Sequence, residues 1–262
     1  MSETSDLLIE RTDDNIVIAT LNRPKARNTV SFPMWEALGQ LVAELEGESP
    51  ARALILQGAE GYFSSGGDVK IPPARGQGAL ARGKRLEIGQ RVLSRIQALP
   101  MPVIAAVEGG AYGVGWGIAL ACDLLFAGTS VQFGAPFVKI GVVPDGGTAW
   151  MLTRELGRRK ASEILLSCRS LDAAEAMSLG LVNQVVPDGQ ALAAALEFAR
   201  DMGEGNVQAI ELTKRMIHEA ESSDRAASHA LELAYCHITQ GGEELARARE
   251  VFIARSAARK QG

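Results

Sequence analysis

Val103-Ile104-Ala105-Ala106-Val107-Glu108-Gly109-Gly110-Ala111-Tyr112-Gly113-Val114-Gly115-Trp116-Gly117-Ile118-Ala119-Leu120-Ala121 passes from a wholly apolar stretch through a run of glycines into a segment of helical composition. A short, continuous apolar run bounded by turn residues is what a strand buried on both faces looks like. A helix that opens directly after glycines leaves its first N–H groups free, at the end of the dipole that favours an anionic oxygen. The stretch therefore predicts a strand, a glycine-rich turn able to meet an oxyanion or phosphate, and a helix running through Ile118 to Ala121.

The same order stands upstream. Ala53-Leu54-Ile55-Leu56-Gln57 is a second short apolar strand, and its loop, Gly58 to Asp68, leads into Phe63-Ser64-Ser65-Gly66-Gly67-Asp68-Val69-Lys70. Consecutive glycines let the backbone turn tightly and bring an N–H against a ligand with no side chain between them. Taken alone, this is also how an ordinary strand-to-loop turn is written. The other glycine segment, with the spacing Gly113-x-Gly115-x-Gly117, lacks the final glycine step of a dinucleotide fingerprint. It also lies well inside the chain, with no acidic residue at the expected distance, which argues against nucleotide binding.

Further out, residues 7–11 and 15–21 read as a strand pair turning at Asp13-Asp14-Asn15. Ser31 is placed to cap a helix with Pro33 in its first turn, carrying Trp35, Leu38, Leu41, Val42 and Leu45 at helical spacing. Residues 72–83, with two prolines and three glycines, read as a mobile surface loop, followed by a helix from Lys84 to Ala98 that Pro100-Met101-Pro102 ends. Leu124-Leu125-Phe126-Ala127 and Val131-Gln132-Phe133 are further strands, and from Asp145 onward the pattern is nearly all helical. No internal repeat is visible. Alternating strands and helices with a helical tail predict an α/β fold, divided into a core over residues 1–200 and a helical part over 201–262.

Composition narrows the function. The chain has 262 residues, of which 47% are hydrophobic, and a net charge of −4. That is enough for a substantial core, and it gives no basic footprint for nucleic acid. The basic cluster from Arg154 to Lys160 fits a solvated helix face or a contact for an anionic ligand. Three scattered cysteines, Cys122, Cys168 and Cys236, suit neither a disulfide framework nor a zinc site, and point to a reduced, cytoplasmic setting. The acidic N-terminus has no signal-peptide pattern, and the Pro102–Ala127 stretch is broken by Glu108, Asp123 and glycines, so no membrane association is expected. No Gly-x-Ser-x-Gly elbow occurs.

The two glycine segments together, in this order, resemble the crotonase or enoyl-CoA hydratase/isomerase superfamily. The resemblance begins at Leu21-Asn22-Arg23-Pro24-Lys25-Ala26-Arg27-Asn28 and continues through Ala121-Cys122-Asp123, Phe133-Gly134-Ala135-Pro136 and Gly141-Val142-Val143-Pro144-Asp145-Gly146-Gly147 to Gly180-Leu181-Val182. It implies a spiral of ββα turns, assembly as homotrimers or paired trimers through the C-terminal helices, and a thioester oxygen held by the N–H groups of Gly67 and Val114. It also implies that Ala26, Arg27, Ser65, Asp68 and Val69 lie along the CoA moiety, with Tyr112 and Phe137 close to the substrate. Coenzyme A would enter as part of the substrate, with no permanently bound cofactor and no metal. A thioester becomes acidic at its α-carbon only when the enolate oxygen is stabilised, and each preorganised donor can supply roughly 3 kcal/mol.

The family's hydratases use two glutamates, and at the matching places this chain has Gly117 and Phe137. Neither can activate water. Asp145 remains, and it reads either as a helix N-cap or, by resemblance to the single-aspartate isomerases of 3-enoyl-CoA and ring-opened phenylacetate-pathway substrates, as a proton shuttle. One carboxylate suffices for a 1,3-proton shift, and an apolar pocket that raises its pKa would help; Phe137, Val142, Val143 and Trp116 are candidate walls. An isomerase is the expectation. The alternatives are a hydratase with atypical acids, such as Glu108 or Glu163, and a non-catalytic acyl-CoA- or RNA-binding member. A dehalogenase would call for a histidine before Pro100, yet His218, His229 and His237 all lie in the helical tail, where surface or interface roles are expected.

Overall fold

The computed structural model describes residues 5–47, 49–71, 74, 76–78, 81, 83–203, 207–241, 245–246, 248–250 and 253. β1 (Leu7–Arg11) and β2 (Ile16–Leu21) form an antiparallel hairpin with Leu7 opposite Leu21, and Asn15 takes a left-handed turn conformation at φ 61°. β3 (Ala53–Gly58), β4 (Val103–Val107), β6 (Leu124–Gly128) and β9 (Gln184–Val186) then join in parallel, giving a six-stranded sheet in the order β1-β2-β3-β4-β6-β9.

Both faces of the inner strands β2, β3, β4 and β6 are covered, which is why they read as continuous apolar runs. On β2, Val17, Ala19 and Leu21 enter the main core, while Ile16 and Ile18 point to the opposite face. There they meet Ala191, Ala195 and Ala199 of α6 (Ala191–Gly203), whose small side chains let the helix lie close to the strands. The expected boundary at residue 200 thus falls inside a helix that belongs to the core.

A smaller sheet consists of β5 (Gly110–Tyr112), β7 (Gln132–Gly134) and β8 (Ser170–Asp172), with β5 and β7 parallel and β8 antiparallel to β7. The expectation of a nearly all-helical chain after Asp145 is corrected by β8 and β9. Each is three residues long, too short for any alternation of apolar and polar positions to show.

One unit recurs along the chain: a strand of the large sheet, a short second strand or bridge, then a helix. β2 leads through the Val30–Gly67 bridge to α1 (Phe32–Leu45), and β3 through the Ser64–Ala111 bridge to α2 (Lys84–Ala98). β4 leads through β5 to α3 (Val114–Leu120), and β6 through β7 to α4 (Thr148–Ser167). Local chemistry sets the start of α1. Ser31 accepts a hydrogen bond from Met34 N (3.1 Å), Pro33 fits the first turn of α1, and Met34, Trp35, Leu38, Leu41, Val42 and Leu45 are buried. α4 is interrupted at Gly157, whose φ of 72° no helix allows.

α5 (Ala173–Ser178), α7 (Val207–Ala220) and α8 (Arg225–Gln240) are further helices of the second half of the chain. α7 is fastened to the core by a buried cation. Lys214 Nζ donates to Met101 O (3.0 Å) and pairs with Asp123 (2.7 Å), and His218 Nε2 lies 3.4 Å from the same carboxylate. His218 thus lies beside the Asp123 carboxylate, while His229 and His237 lie on α8. The 72–83 loop and the end of the chain lie in part outside the described residues. Among the described residues no helix is long and apolar enough to cross a membrane, and no cluster of side chains suits a metal ion.

Candidate active site

The bridges of the second layer lay the two glycine segments side by side. Ser64 N donates to Gly110 O (3.1 Å), Tyr112 N to Ser64 O (2.9 Å), and Val30 N to Gly66 O (2.8 Å). The contact tolerates no side chain. A β-carbon on Gly66, whose φ is 97°, would stand 2.7 Å from Tyr112 O, and one on Gly115 would stand 2.7 Å from the Ser64 β-carbon. Val114 is the first residue of α3, so its N–H has no partner within the helix. The Gly67 N–H finds none among the described residues.

Gly67 and Val114 line one small cavity together with Asp145, Arg85 and Trp35. Its free volume is about 20 Å³, room for a group the size of one water molecule. Asp145 does not cap α4. The cap position is Gly147, and it is the Asp145 carbonyl that accepts from Thr148 N (3.1 Å) and Thr148 Oγ1 (2.7 Å). Asp145 is instead one of the residues that line the cavity. Its Oδ1 is enclosed and has no hydrogen-bond partner. Burial raises the carboxyl above its ordinary value, and the charge of Arg85 opposes that shift.

The walls differ from those the sequence suggested. Val142 and Val143 are exposed, Val143 to 80%, because they sit in the irregular segment ahead of α4. Trp116 is fully buried, packed against Phe133 with ring centres 5.8 Å apart. Phe137 is buried next to Gly113, whose added β-carbon would lie 3.7 Å from its ring. Tyr112 packs over Gly110 and Gly134 in the small sheet. At the other hydratase position, Gly117 has no space for a side chain, since a β-carbon would come within 2.9 Å of Gly146 O.

Of the residues expected along CoA, Ser65 is joined to the Ala26-Arg27 turn: its N donates to Arg27 O (2.9 Å) and its Oγ to Ala26 O (3.3 Å). Arg27 is exposed and lies over the Tyr62 ring at 5.7 Å, and Val69 is exposed. Asp68 is buried, and its carboxylate is engaged by Arg23 (3.3 Å) and by Lys70 N (3.1 Å). The alternative acids are engaged too. Glu108 accepts from Ala191 N (3.0 Å) at the start of α6, and Glu163 pairs with Lys160 and Arg169 on the surface.

Two residues at the site escaped the sequence. Arg85, on the first turn of α2, is buried, and its Nη1 donates to Asp68 O and Ile71 O, both at 3.0 Å. Periodicity places it on a helix but does not distinguish a buried arginine from a solvated one. Asn28 is fully buried at φ 54°, with Oδ1 accepting from Arg23 N (2.9 Å) and Nδ2 donating to Ala59 O (3.0 Å). Its carbonyl accepts from Ser64 Oγ (2.8 Å), which braces the first glycine segment. A larger cavity, 470 Å³, opens beyond the far end of α3 beside Cys122, Trp150 and Lys214, and shares no lining residue with the small one.

Residues 11–259 match the family model described as enoyl-CoA hydratase/isomerase. The chain is 37% identical to enoyl-CoA hydratase EchA19 of Mycobacterium tuberculosis over 222 residues, 82% of this chain and 81% of that protein. It is 32% identical to the 2,3-dehydroadipyl-CoA hydratase of Escherichia coli over 231 residues, 87% and 88% of the two chains. The crystal structure of an enoyl-CoA hydratase from Bacillus anthracis superposes with a TM-score of 0.90 at 26% identity, covering 95% and 96% of the two chains.

Proposed function

The chain belongs to the enoyl-CoA hydratase/isomerase family of acyl-CoA enzymes and has the crotonase fold, and on that premise we propose that it is an enoyl-CoA isomerase whose single proton carrier is Asp145. The observation that carries this reading is that Asp145, whose enclosed Oδ1 has no partner, lines one cavity with Gly67 and Val114. An unpaired buried carboxylate oxygen is costly to keep, and a reacting proton is a partner that would justify it.

In this reading the thioester oxygen sits against the N–H groups of Gly67 and Val114, and CoA arrives as part of the substrate. Asp145 removes a proton from one acyl carbon, the electron pair moves onto the thioester oxygen, and the same proton returns two carbons away. A carboxyl raised by burial is suited to both steps near neutral pH. The reading includes assembly with further copies of the chain, supported by the exposed apolar side chains Val138, Ile140, Val142 and Val143 close to Asp145 in the sequence.

Hydration is the second reading, favoured by the names that the relatives carry. It requires a second acid, and neither Gly117 nor Phe137 offers one. The deciding assay supplies 3-enoyl-CoA and 2-enoyl-CoA to wild type and Asp145→Asn. Isomerisation lost in Asp145→Asn supports the proposal. Fast hydration of 2-enoyl-CoA by wild type, with no isomerisation, overturns it.

A further inference from the structure

Arg85 is a buried cation that the proton shuttle does not use. Its Nη1 is bound by two backbone carbonyls, Asp68 O and Ile71 O, in the segment immediately after Gly67. Its other edge points at the glycine itself, since a β-carbon on Gly67 would lie 3.6 Å from Arg85 Nη2. The Phe32 ring lies 5.9 Å below the guanidinium. None of these contacts neutralises a charge. The carboxylate nearest in the loop, Asp68, is committed to Arg23 at 3.3 Å. Among the described residues Arg85 makes no contact ion pair, yet it lines the same cavity as Asp145, whose Oδ1 is enclosed without a hydrogen-bond partner.

Burying a guanidinium among carbonyls and a ring is unfavourable unless a negative charge shares the site. Among the described residues that line the cavity, Arg85 and Asp145 are the two that carry charge. Trp35 of α1, Gln90 of α2, Val114 of α3 and Gly146 are neutral. Asp68 is the next charged group, facing Arg85 from the loop.

We propose that Arg85 is the fixed counter-charge of the reaction, a positioning residue that faces both places where negative charge resides during proton transfer. This rests on Asp145 being the base. Before transfer the charge is on the Asp145 carboxylate. As Asp145 takes the proton, the C–H bond breaks, an O–H bond forms, and the C–H pair becomes the enolate double bond while the carbonyl pair moves to the thioester oxygen beside Gly67. The charge has moved from one side of the guanidinium to the other. Return of the proton to the second carbon reverses the movement, with no proton gained or lost. A cation held by backbone carbonyls does not reorganise during either step, which is where preorganised charge is most effective.

Removing the cation withdraws the influence that opposes burial, so the Asp145 carboxyl rises further and a higher pH is needed to ionise it. The experiment measures deuterium uptake from D2O at the α-carbon of hexanoyl-CoA and 3-hexenoyl-CoA across pH. Wild type, Arg85→Gln, Arg85→Lys and Asp145→Asn are compared, with thermal unfolding of each. Arg85→Gln is expected to lose on the order of 100-fold in exchange at neutral pH, and its acidic limb to move to higher pH. Arg85→Lys, with the charge kept and the two-carbonyl tether weakened, is expected to keep the wild-type limb and recover most of the rate.

An unmoved limb in Arg85→Gln, with Gln and Lys losing the same rate, would reduce Arg85 to a brace for the loop and overturn the proposal. Should Arg85→Gln not fold, Arg85→Lys decides alone, and a limb displaced upward despite the retained charge overturns it. Failure of the underlying reading looks different: Asp145→Asn would then exchange as fast as wild type.

Discussion

Gly117 and Gly146 meet backbone to backbone: a β-carbon on Gly117 would stand 2.9 Å from Gly146 O and 3.0 Å from Thr148 Oγ1. The contact joins α3, which begins at the oxyanion-holding Val114 of the proposed mechanism, to the residue that follows Asp145. Where the family's hydratases are expected to carry a glutamate, the space is thus filled by the turn that follows Asp145.

Gly117→Ala is accordingly expected to push the Gly146 turn away from α3. Overpacking of this kind costs about 1–3 kcal/mol, and a displaced Asp145 would lose on the order of 100-fold in isomerisation. Gly117→Glu should fold less well still and gain no hydration. Urea unfolding beside the two enoyl-CoA assays checks this. A Gly117→Ala protein as stable and active as wild type would show that the turn yields freely.

Asp145 also predicts a trade of activity against stability. Its carboxyl is raised in the folded protein by burial, with Arg85 opposing, so the folded state binds the proton more tightly than the unfolded chain does. Such a group supports the fold at pH below its unfolded value and loses that contribution as pH rises through the folded value. Asp145→Asn removes a charge whose burial outweighs its attraction to Arg85, and, with the loss of that attraction taking back part of the gain, is expected to raise stability at neutral pH by up to about 1 kcal/mol while abolishing isomerisation. The gain should vanish toward pH values low enough to protonate the wild-type carboxyl. Thermal unfolding at neutral and acidic pH measures the difference, and a variant less stable than wild type at neutral pH would contradict it.

The outline of this site is legible in the sequence because glycine declares itself. Gly66, Gly115 and Gly117 stand where backbones approach too closely for side chains, and Gly113 takes a positive φ that larger residues avoid. The recurring strand-bridge-helix unit is not legible, since its second member shrinks to Gly110–Tyr112, to Gln132–Gly134, or to single bridges at Val30 and Ser64. Pairing partners far away in the chain define these strands, not their own composition. Arg85 is hidden for a related reason. Its burial depends on the carbonyls of Asp68 and Ile71 and on the Phe32 ring, brought together only by the packing of α1, α2 and the intervening loop. Val142 and Val143 misled in the opposite sense, as apolar residues that the single chain leaves exposed.

Lys214 tests how α7 is held. Its ammonium is buried against the Asp123 carboxylate and the Met101 carbonyl, and Asp123 Oδ2 also accepts from Val103 N (2.7 Å) at the start of β4. Lys214→Ala leaves Asp123 with the half-exposed His218 and no ammonium. Breaking one partner of a buried pair costs about 3 kcal/mol or more. Lys214→Met, which refills the volume, should still lose most of that, because the carboxylate stays. Denaturant midpoints for both variants, with protease cleavage within α7 as a local probe, give the comparison. A loss below about 1 kcal/mol in both would show that solvent satisfies Asp123 and that α7 is held by its apolar face instead.

Asn28 carries the last prediction. Its side chain satisfies Arg23 N through Oδ1 and Ala59 O through Nδ2, and its carbonyl takes the Ser64 hydroxyl hydrogen bond, all from a fully buried left-handed position. Asn28→Asp keeps the acceptor toward Arg23 but replaces the amide donor with a carboxylate oxygen facing a carbonyl, burying a repulsive charge. Asn28→Ala removes these bonds and a third, from Nδ2 to Tyr62 O, and leaves the left-handed strain without the residue type that tolerates it. Each orphaned group costs about 1–3 kcal/mol, so both variants should lose several kcal/mol, and the aspartate variant more than the alanine variant at neutral pH. Because Ser64 and Gly66-Gly67 hang from this brace, the surviving folded protein should also isomerise more slowly, through kcat more than KM. Chemical unfolding of both variants, with steady-state kinetics below their melting temperatures, measures both effects. Should the alanine variant prove the worse of the two, the introduced carboxyl must be protonated and donate in place of the amide, which a recovery of Asn28→Asp at acidic pH would reveal.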